Sequence, residues 1–560
     1  MNFPPFLFVE TEGFTPFLIE NAHKMGVSSA KSNVAMRILN AQRCIPVFSP
    51  SPFPAVLVLN GGKTFGRAKG AKGRLLYQCI PNDPEYPVFL VPYDVKLDFS
   101  KVMKNKYVIM HFDCWNGAHP QGILDAVLGN VDECAPFNEY QLYCRNLVKF
   151  QDKAFAEFTK AARQHKAKSD DETWIMSHLA NPEYKIVDLT GVNNIISVDP
   201  EGCEDIDDAF SVRRLPDLDG LIQVSIYIAN VPLWLSVLDL WKHIDSSRVT
   251  TVYLPDRKVP MLPTVLSEDL CSLKAGKLRY AFVMHATFKA QSDNCSEGTN
   301  GSFELVSVAY ENAIIKVKTN YAYEDKKLLK SADYALLKQI AQTLDKESCD
   351  SCDSHDVVAT FMKLMNAQCA ETLASMNTGI FRNQKGTEGP QHAVWSAEGG
   401  QSNSTEGGIL SARYSTINEG HAHLGLSHYT HITSPIRRLV DLINMRILMN
   451  GSPEDFESST IEKINKISKS AKKAQMDCEL YSKVLGADPE TVYTGAIVDV
   501  DTDEFGRATH TVYLEELKTY ARVKGAVGVM QRNKEVIKVK VYLFDDEHNL
   551  RRKIRVEYIQ

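Results

Sequence analysis

The spacing of hydrophobic residues changes several times along the chain, and these changes divide it. From about residue 42 to 135 apolar residues come in short runs, IPVF, AVLVL, PVFLVPY and KYVIMHF, separated by Gly, Pro and Asn. Such runs predict about five short strands, enough for a small barrel. Between residues 139 and 180, Leu142, Leu147, Phe150, Phe155 and Phe158 share a face among Lys149, Lys153, Lys160, Arg163, Lys166 and Lys168, which predicts helix. A long mixed region follows to about 485, broken by QSDNCSEGTNGS and SAEGGQSNSTEGG, two Gly/Ser/Asn-rich segments that read as surface insertions. Past 490, EVIKVKVYLF and KIRVEYI, joined by DDEHN, predict a second barrel. The expected organisation is an extension at 1–41, a barrel at 42–135, a helical linker at 136–189, a mixed α/β domain at 190–487 and a barrel at 488–560: a multidomain α+β chain.

Composition narrows the class. The chain has 560 residues, 44% hydrophobic and 24% charged, so it can bury several cores without disulfides or structural metals. With 63 basic against 69 acidic residues, its formal charge of −6 gives no global field for nucleic acid or anionic lipid, and such contacts must be local. One local candidate is GGKTFGRAKGAKGR, where Lys63, Arg67, Lys69, Lys72 and Arg74 sit on a glycine-rich loop. It is not a phosphate-binding P-loop, because the first glycine of that pattern would fall at Leu57. It is either a solvated loop or a set of RNA-backbone contacts. Twelve scattered cysteines read as reduced thiols, and Cys349 and Cys352 form a single CxxC with no second pair at zinc spacing. The start MNFPPFLFVETEG lacks a basic region ahead of an apolar run, and no apolar stretch reaches the length of a membrane span. An intracellular, cytoplasmic location without membrane contact is expected.

The chemistry concentrates in two segments. In IISVDPEGCEDIDDAFSV an apolar strand runs into Asp199, Asp205, Asp207 and Asp208. Carboxylates this close repel unless neutralised, and oxygen clusters select hard cations such as Mg²⁺, or Mn²⁺ in its place. The alternative is a plain acidic turn; an EF-hand fails, since Glu204 and Phe210 stand where its glycine and closing glutamate belong. In HLGLSHYTHITSPIRRLVDLINMRILMN, Ser434 and Pro435 are a helix-start signal that puts Arg437 and Arg438 in the first turn. Cations there oppose the helix dipole, which points to a bound phosphate; the competing account is an internal pair between Arg437 and Asp441.

Together these segments resemble the ribonuclease II (RNB) family of exoribonucleases. The resemblance continues through TTVYLPDRKVPMLPTVLSEDLCSL and covers most of the chain in family order, ending in H-x-GL, Y-x-H, TSPIRR and a downstream Asp. YVIMHFDCWNGAHPQGILDAVLGNVDE looks like the end of the cold-shock, OB-type barrel of the eukaryotic exosome-type branch, and the C-terminal strands resemble the family's OB-type barrel. The resemblance implies a mixed α/β catalytic domain flanked by OB-type barrels and a 3′-to-5′ hydrolytic exoribonuclease that releases nucleoside 5′-monophosphates from single-stranded RNA. Asp199, Asp205, Asp207 and Asp208 would hold Mg²⁺, with Asp207 also catalytic. Arg437 would contact the scissile phosphate, and Tyr323 would pack on the terminal nucleotide, with Tyr321 as competitor. Tyr253 of the YLP segment, Ser434 and Arg438 would join Arg437 and the glycine loop in binding RNA. The chain departs from the pattern at Tyr227 and Asn230, which replace a histidine and a carboxylate, and at Thr360 and Gln475, where glutamates occur. The rival is a weak or inactive RNA-binding protein on the same fold, and a metal-dependent DNase is a more distant one. A monomer is expected. An exosome-like partnership is not, since only about 40 residues precede the first barrel.

Overall fold

The computed structural model describes residues 52–68, 73–84, 86–95, 103–114, 119–148, 152–169, 171–215, 220–291, 302–344, 352–384, 412–450, 458–502, 508–524, 536–544 and 553–559, together with the strands Val34–Leu39, Arg43–Phe48, Val394–Trp395 and Gln401–Ser402. Two compact units are present. One holds the residues up to Leu147 with Asp477–Thr491 and Val541–Arg555; the other holds Val148–Met476, Val492–Lys540 and Val556–Gln560.

In the first unit five strands close into a barrel in the order Phe53–Leu57, Leu76–Pro81, Phe89–Pro92, Gln121–Asn130, Lys106–Cys114. Ala55, Leu57, Tyr77, Cys79, Phe89, Val91, Val108 and Met110 fill its interior. Gly122 is required there, because a Cβ would lie 2.2 Å from the Met110 methyl and 2.8 Å from the His111 carbonyl oxygen. The IPVF run is not a barrel strand: it lies in a separate hairpin that pairs Val34–Leu39 with Arg43–Phe48. The strand it was expected to supply comes instead from Leu76–Pro81.

The helix expected over 139–180 is three helices, Cys134–Cys144, Lys153–Ser169 and Glu172–Ser177. Its apolar face serves two cores, with Leu142 buried in the first unit and Phe158 in the second. The Asp171 side chain starts the third helix by accepting from the backbone N–H groups of Thr173 and Trp174.

The second unit is built on a seven-stranded sheet in the order Thr319–Ala322, Ile196–Asp199, Asp208–Arg214, Leu221–Ala229, Leu278–Gln291, Ser302–Lys316, Ile186–Asp188. Alternate strand residues face opposite sides. From Leu221–Ala229, Tyr227 and Ala229 join one core with Trp234, Tyr280 and Leu439. Ile226 and Ile228 join another with Phe282, Phe361 and Met365 under the helices Ala332–Leu344 and Ser354–Ser375. Burial on both faces explains the nearly unbroken apolar run LIQVSIYIA, and each fully buried Ile or Phe contributes roughly 1.5–3 kcal/mol. The sheet also fixes the acidic segment, since Asp199 ends one strand and Asp208 begins its antiparallel neighbour, with Phe210 opposite Ile196. The C-terminal residues form a five-stranded sheet in the order Thr519–Lys524, Ala508–Leu514, Val492–Thr502, Val536–Leu543, Ile554–Tyr558.

Candidate active site

The loop from Asp199 to Asp208 is held from outside by the LCSL segment. The Ile206 N–H donates to Ser272 Oγ (3.1 Å), Ser272 Oγ donates to the Glu204 carbonyl (2.7 Å), and the Leu273 N–H donates to the Ile206 carbonyl (3.0 Å). Asp207 is buried, and its backbone carbonyl accepts from the Ala229 N–H at 2.8 Å. Asp207 Oδ1 accepts from the Ile436 N–H (3.0 Å), while Oδ2 faces Arg437 Nε at 3.5 Å. Asp199 accepts from the Ser197 hydroxyl at 2.7 Å. Asp205 lies 2.9 Å from Lys258 Nζ. Asp208 Oδ2 is buried with no hydrogen-bond partner.

Burial pushes the Asp207 carboxyl up to about 7, against the opposing pull of Arg437 and the Ile436 N–H. It also raises Asp199, with Asp205 adding to the effect, and raises Asp208 well above the carboxylate range, with Asp199 and Asp207 adding. A group of desolvated, mutually repelling carboxylates with one orphaned oxygen suits a divalent cation. The four are not drawn into one tight pocket, however. Among the described residues the only three ligand-type side chains with atoms all within 4.8 Å of one another are Asp353, His355 and Asp356. Two of these are already used, since Asp353 and Asp356 form the capping box of the helix Ser354–Ser375.

Arg437 does reach the aspartates, but not from a helix. The helix begins at Leu439, and residues 435–437 form a turn before it. Backbone pairing across the fold overrides the Ser-Pro signal: the Thr251 N–H donates to the Arg437 carbonyl (2.9 Å) and the Leu439 N–H to the Val249 carbonyl (2.9 Å). The pair to Asp441 that competed with a phosphate contact for Arg437 is made instead by Arg438 (2.8 Å), and Asp441 also accepts from the Ser434 N–H (2.8 Å). Arg438 and Ser434 thus face inward onto a buried carboxylate, whereas Arg437 is 41% exposed. Tyr323 follows the strand beside Asp199, donates its N–H to the Asp199 carbonyl (3.0 Å), and lies close enough to sense Asp208, Asp199 and Arg437. Tyr321 and Tyr323 both pack against the apolar core, and Tyr323 differs in its bond to the Asp199 backbone and its nearness to Asp208. The Tyr253 side chain is exposed and interacts with Arg437, Asp205 and Asp207.

Sequence reasoning did not single out Lys258, the neighbour of Asp205, whose only cue is its place in the YLPDRK segment. Asp441 appeared there only as a candidate partner for Arg437. The departures at Asn230 and Tyr227 have structural roles. Asn230 caps the helix Val231–Val237 and Tyr227 shares a hydrogen bond with Ser211 at 2.8 Å. Thr360 is buried on the helix Ser354–Ser375. Of the glycine loop, Arg67 donates to the Gly73 carbonyl (2.7 Å), Arg74 pairs with Asp94 (2.8 Å) and Lys63 lies over the Phe65 ring (5.4 Å). Lys69, Lys72 and Cys349 lie outside the described residues. No described helix is long and apolar enough to cross a membrane.

The RNB domain family matches residues 186–348 and 408–451. Over 143 residues the chain is 36% identical to the probable exosome complex exonuclease RRP44 of Caenorhabditis elegans, covering 26% of this chain and 13% of that protein. Over another 143-residue alignment it is 30% identical to exoribonuclease 2 of Escherichia fergusonii, covering 26% of this chain and 22% of that protein. These alignments span less than a quarter of either relative's length. Among solved structures, RNase R of Mycoplasma genitalium in complex with ribose-methylated single-stranded RNA matches with a TM-score of 0.63 at 16% identity, over 94% of both chains. Yeast Ssd1, a pseudonuclease, matches with a TM-score of 0.53 at 15% identity, over 89% of this chain and 69% of that one. At these identities the structural likeness concerns the fold.

Proposed function

The chain carries an RNB domain, that of the ribonuclease II family, and on this premise we propose that it is a 3′-to-5′ exoribonuclease that hydrolyses single-stranded RNA to nucleoside 5′-monophosphates with the help of Mg²⁺. The observation that carries the reading is Arg437 beside Asp207, a partly exposed guanidinium at the edge of a buried acidic cluster. Asp199, Asp205, Asp207 and Asp208 would hold the ion, Asp208 with its orphaned oxygen above all. When bound, a divalent cation supplies a water of lowered pKa and positive charge for the phosphodiester oxygens. Arg437 keeps Nε toward Asp207, which fixes the plane of its guanidinium and aims the remaining donors at the scissile phosphate. Tyr323, tied to the Asp199 backbone, offers a ring to the terminal base. Tyr253, partly exposed and near Asp205, Asp207 and Arg437, offers a second aromatic ring.

One observation favours a second reading, an RNA-binding protein with little or no hydrolysis: no three of the four aspartates gather within ligating distance of a single point. The test is incubation of the purified protein with 5′-labelled oligo(A) and Mg²⁺, with and without EDTA, beside the DNA analogue. Progressive shortening of RNA alone, blocked by EDTA, is expected. RNA that is bound but left intact supports the second reading, and equal shortening of DNA removes the restriction to RNA.

A further inference from the structure

Asp205 is already paired with a cation from the chain itself. Lys258 Nζ lies 2.9 Å from Asp205 Oδ1 and 2.8 Å from Glu268 Oε1, and the three side chains are 27%, 13% and 21% exposed. The trio is assembled from three segments: the aspartate loop, the short strand Lys258–Val259 and the turn Leu266–Leu270. All three are fixed. Lys258 is opposite Tyr253 in its strand pair, and the loop and turn are joined through Ser272. Asp207 is likewise engaged, by Arg437 and the Ile436 N–H, which leaves Asp208 with the orphaned oxygen.

We propose that Lys258 is a built-in counter-charge at Asp205 that competes with a divalent cation and so sets how tightly the aspartate centre holds one. The inference rests on the metal-dependent reading above. An ammonium within hydrogen-bond reach of a carboxylate both occupies its oxygen and repels an incoming cation, and partial burial strengthens both effects. Glu268 moderates this by sharing Lys258. Substitutions at Lys258 and at its second partner Glu268 therefore make opposite predictions, which a purely structural role for Lys258 does not.

The experiment measures Mn²⁺ affinity of the full chain by electron paramagnetic resonance of free Mn²⁺, with the melting temperature in EDTA as folding control. Lys258→Met should tighten Mn²⁺ binding by about tenfold, Lys258→Arg should stay near wild type, and Glu268→Gln should weaken binding severalfold. A folded Lys258→Met with wild-type affinity overturns the proposal, as does Glu268→Gln shifting affinity the same way as Lys258→Met. If Lys258→Met does not fold, the sign of the Glu268→Gln shift decides. The underlying reading fails separately: Asp208→Asn binding Mn²⁺ as wild type does would place the ion elsewhere, whatever Lys258 does.

Discussion

Asp207 uses both oxygens, one on a backbone N–H and one on a guanidinium, and it is still held up to about 7 because burial outweighs both. A carboxyl raised above its unfolded value of about 3.9 contributes its full stability only below that value and loses it as pH rises through 7. Asp207→Asn has no such loss. In EDTA its melting temperature should therefore climb relative to wild type between pH 5 and 8, by the equivalent of a few kcal/mol. A pH-independent difference would show that Asp207 is not held protonated. The same substitution should abolish RNA hydrolysis while RNA binding persists or improves, as gel shift against a cleavage assay would show. Arg437→Lys keeps the charge but loses the planar fork. Turnover should fall on the order of 10²–10³-fold with little change in RNA affinity, and wild-type turnover would make Arg437 a surface arginine.

At the scale of elements, Asn230 shows how a departure from a family pattern can be a local solution. It is fully buried, its Oδ1 accepts from the Leu233 N–H (3.0 Å), and its Nδ2 donates to Asn312 Oδ1 (3.0 Å). Asn312 in turn donates to the Tyr184 carbonyl (3.2 Å), so its amide cannot turn round without losing that bond. Asn230→Asp keeps the cap but sets a buried carboxylate against an amide oxygen. A loss of about 1–3 kcal/mol in denaturant unfolding is expected, and unchanged stability would mean that the pair rearranges freely. Local order decided which features were legible in sequence. The acidic strand end, the TSPIRR segment and most of the barrel strands are written in contiguous residues, although IPVF belongs to a hairpin and the barrel strand Leu76–Pro81 was missed. The start of the helix Leu439–Asn450 was not, because pairing with Val249 and Thr251 displaced it from Ser434. Nor was the pairing of Asp205 with Lys258, two residues 53 positions apart that only the folded chain brings together.

At the scale of the whole molecule, the acidic chain needs a local cationic surface to engage a polyanion. By sequence, residues 60–120 are the candidate, with nine basic against five acidic residues. The glycine loop on the closed barrel carries five of the nine, but not all are equally available. Arg67 is tied to the Gly73 carbonyl and Arg74 to Asp94, so their heads are partly committed to the barrel. If about three charges remain for phosphate contact, counterion release from a single strand contributes a salt slope of roughly 0.7 per contact, or about two in total. Neutralising Lys63, Arg67, Lys69, Lys72 and Arg74 together should flatten the slope of log affinity against log salt for long single-stranded RNA by about that amount and weaken binding at low salt. Cleavage of very short oligonucleotides should hardly change, because none of the substituted residues is among the aspartates or Arg437. Titrations of long RNA at several salt concentrations, beside a short-substrate rate assay, separate the two effects. An unchanged slope would reduce the loop to a solvated connection between barrel strands, and a slope change several times larger would mean that Arg67 and Arg74 leave their internal partners when RNA binds.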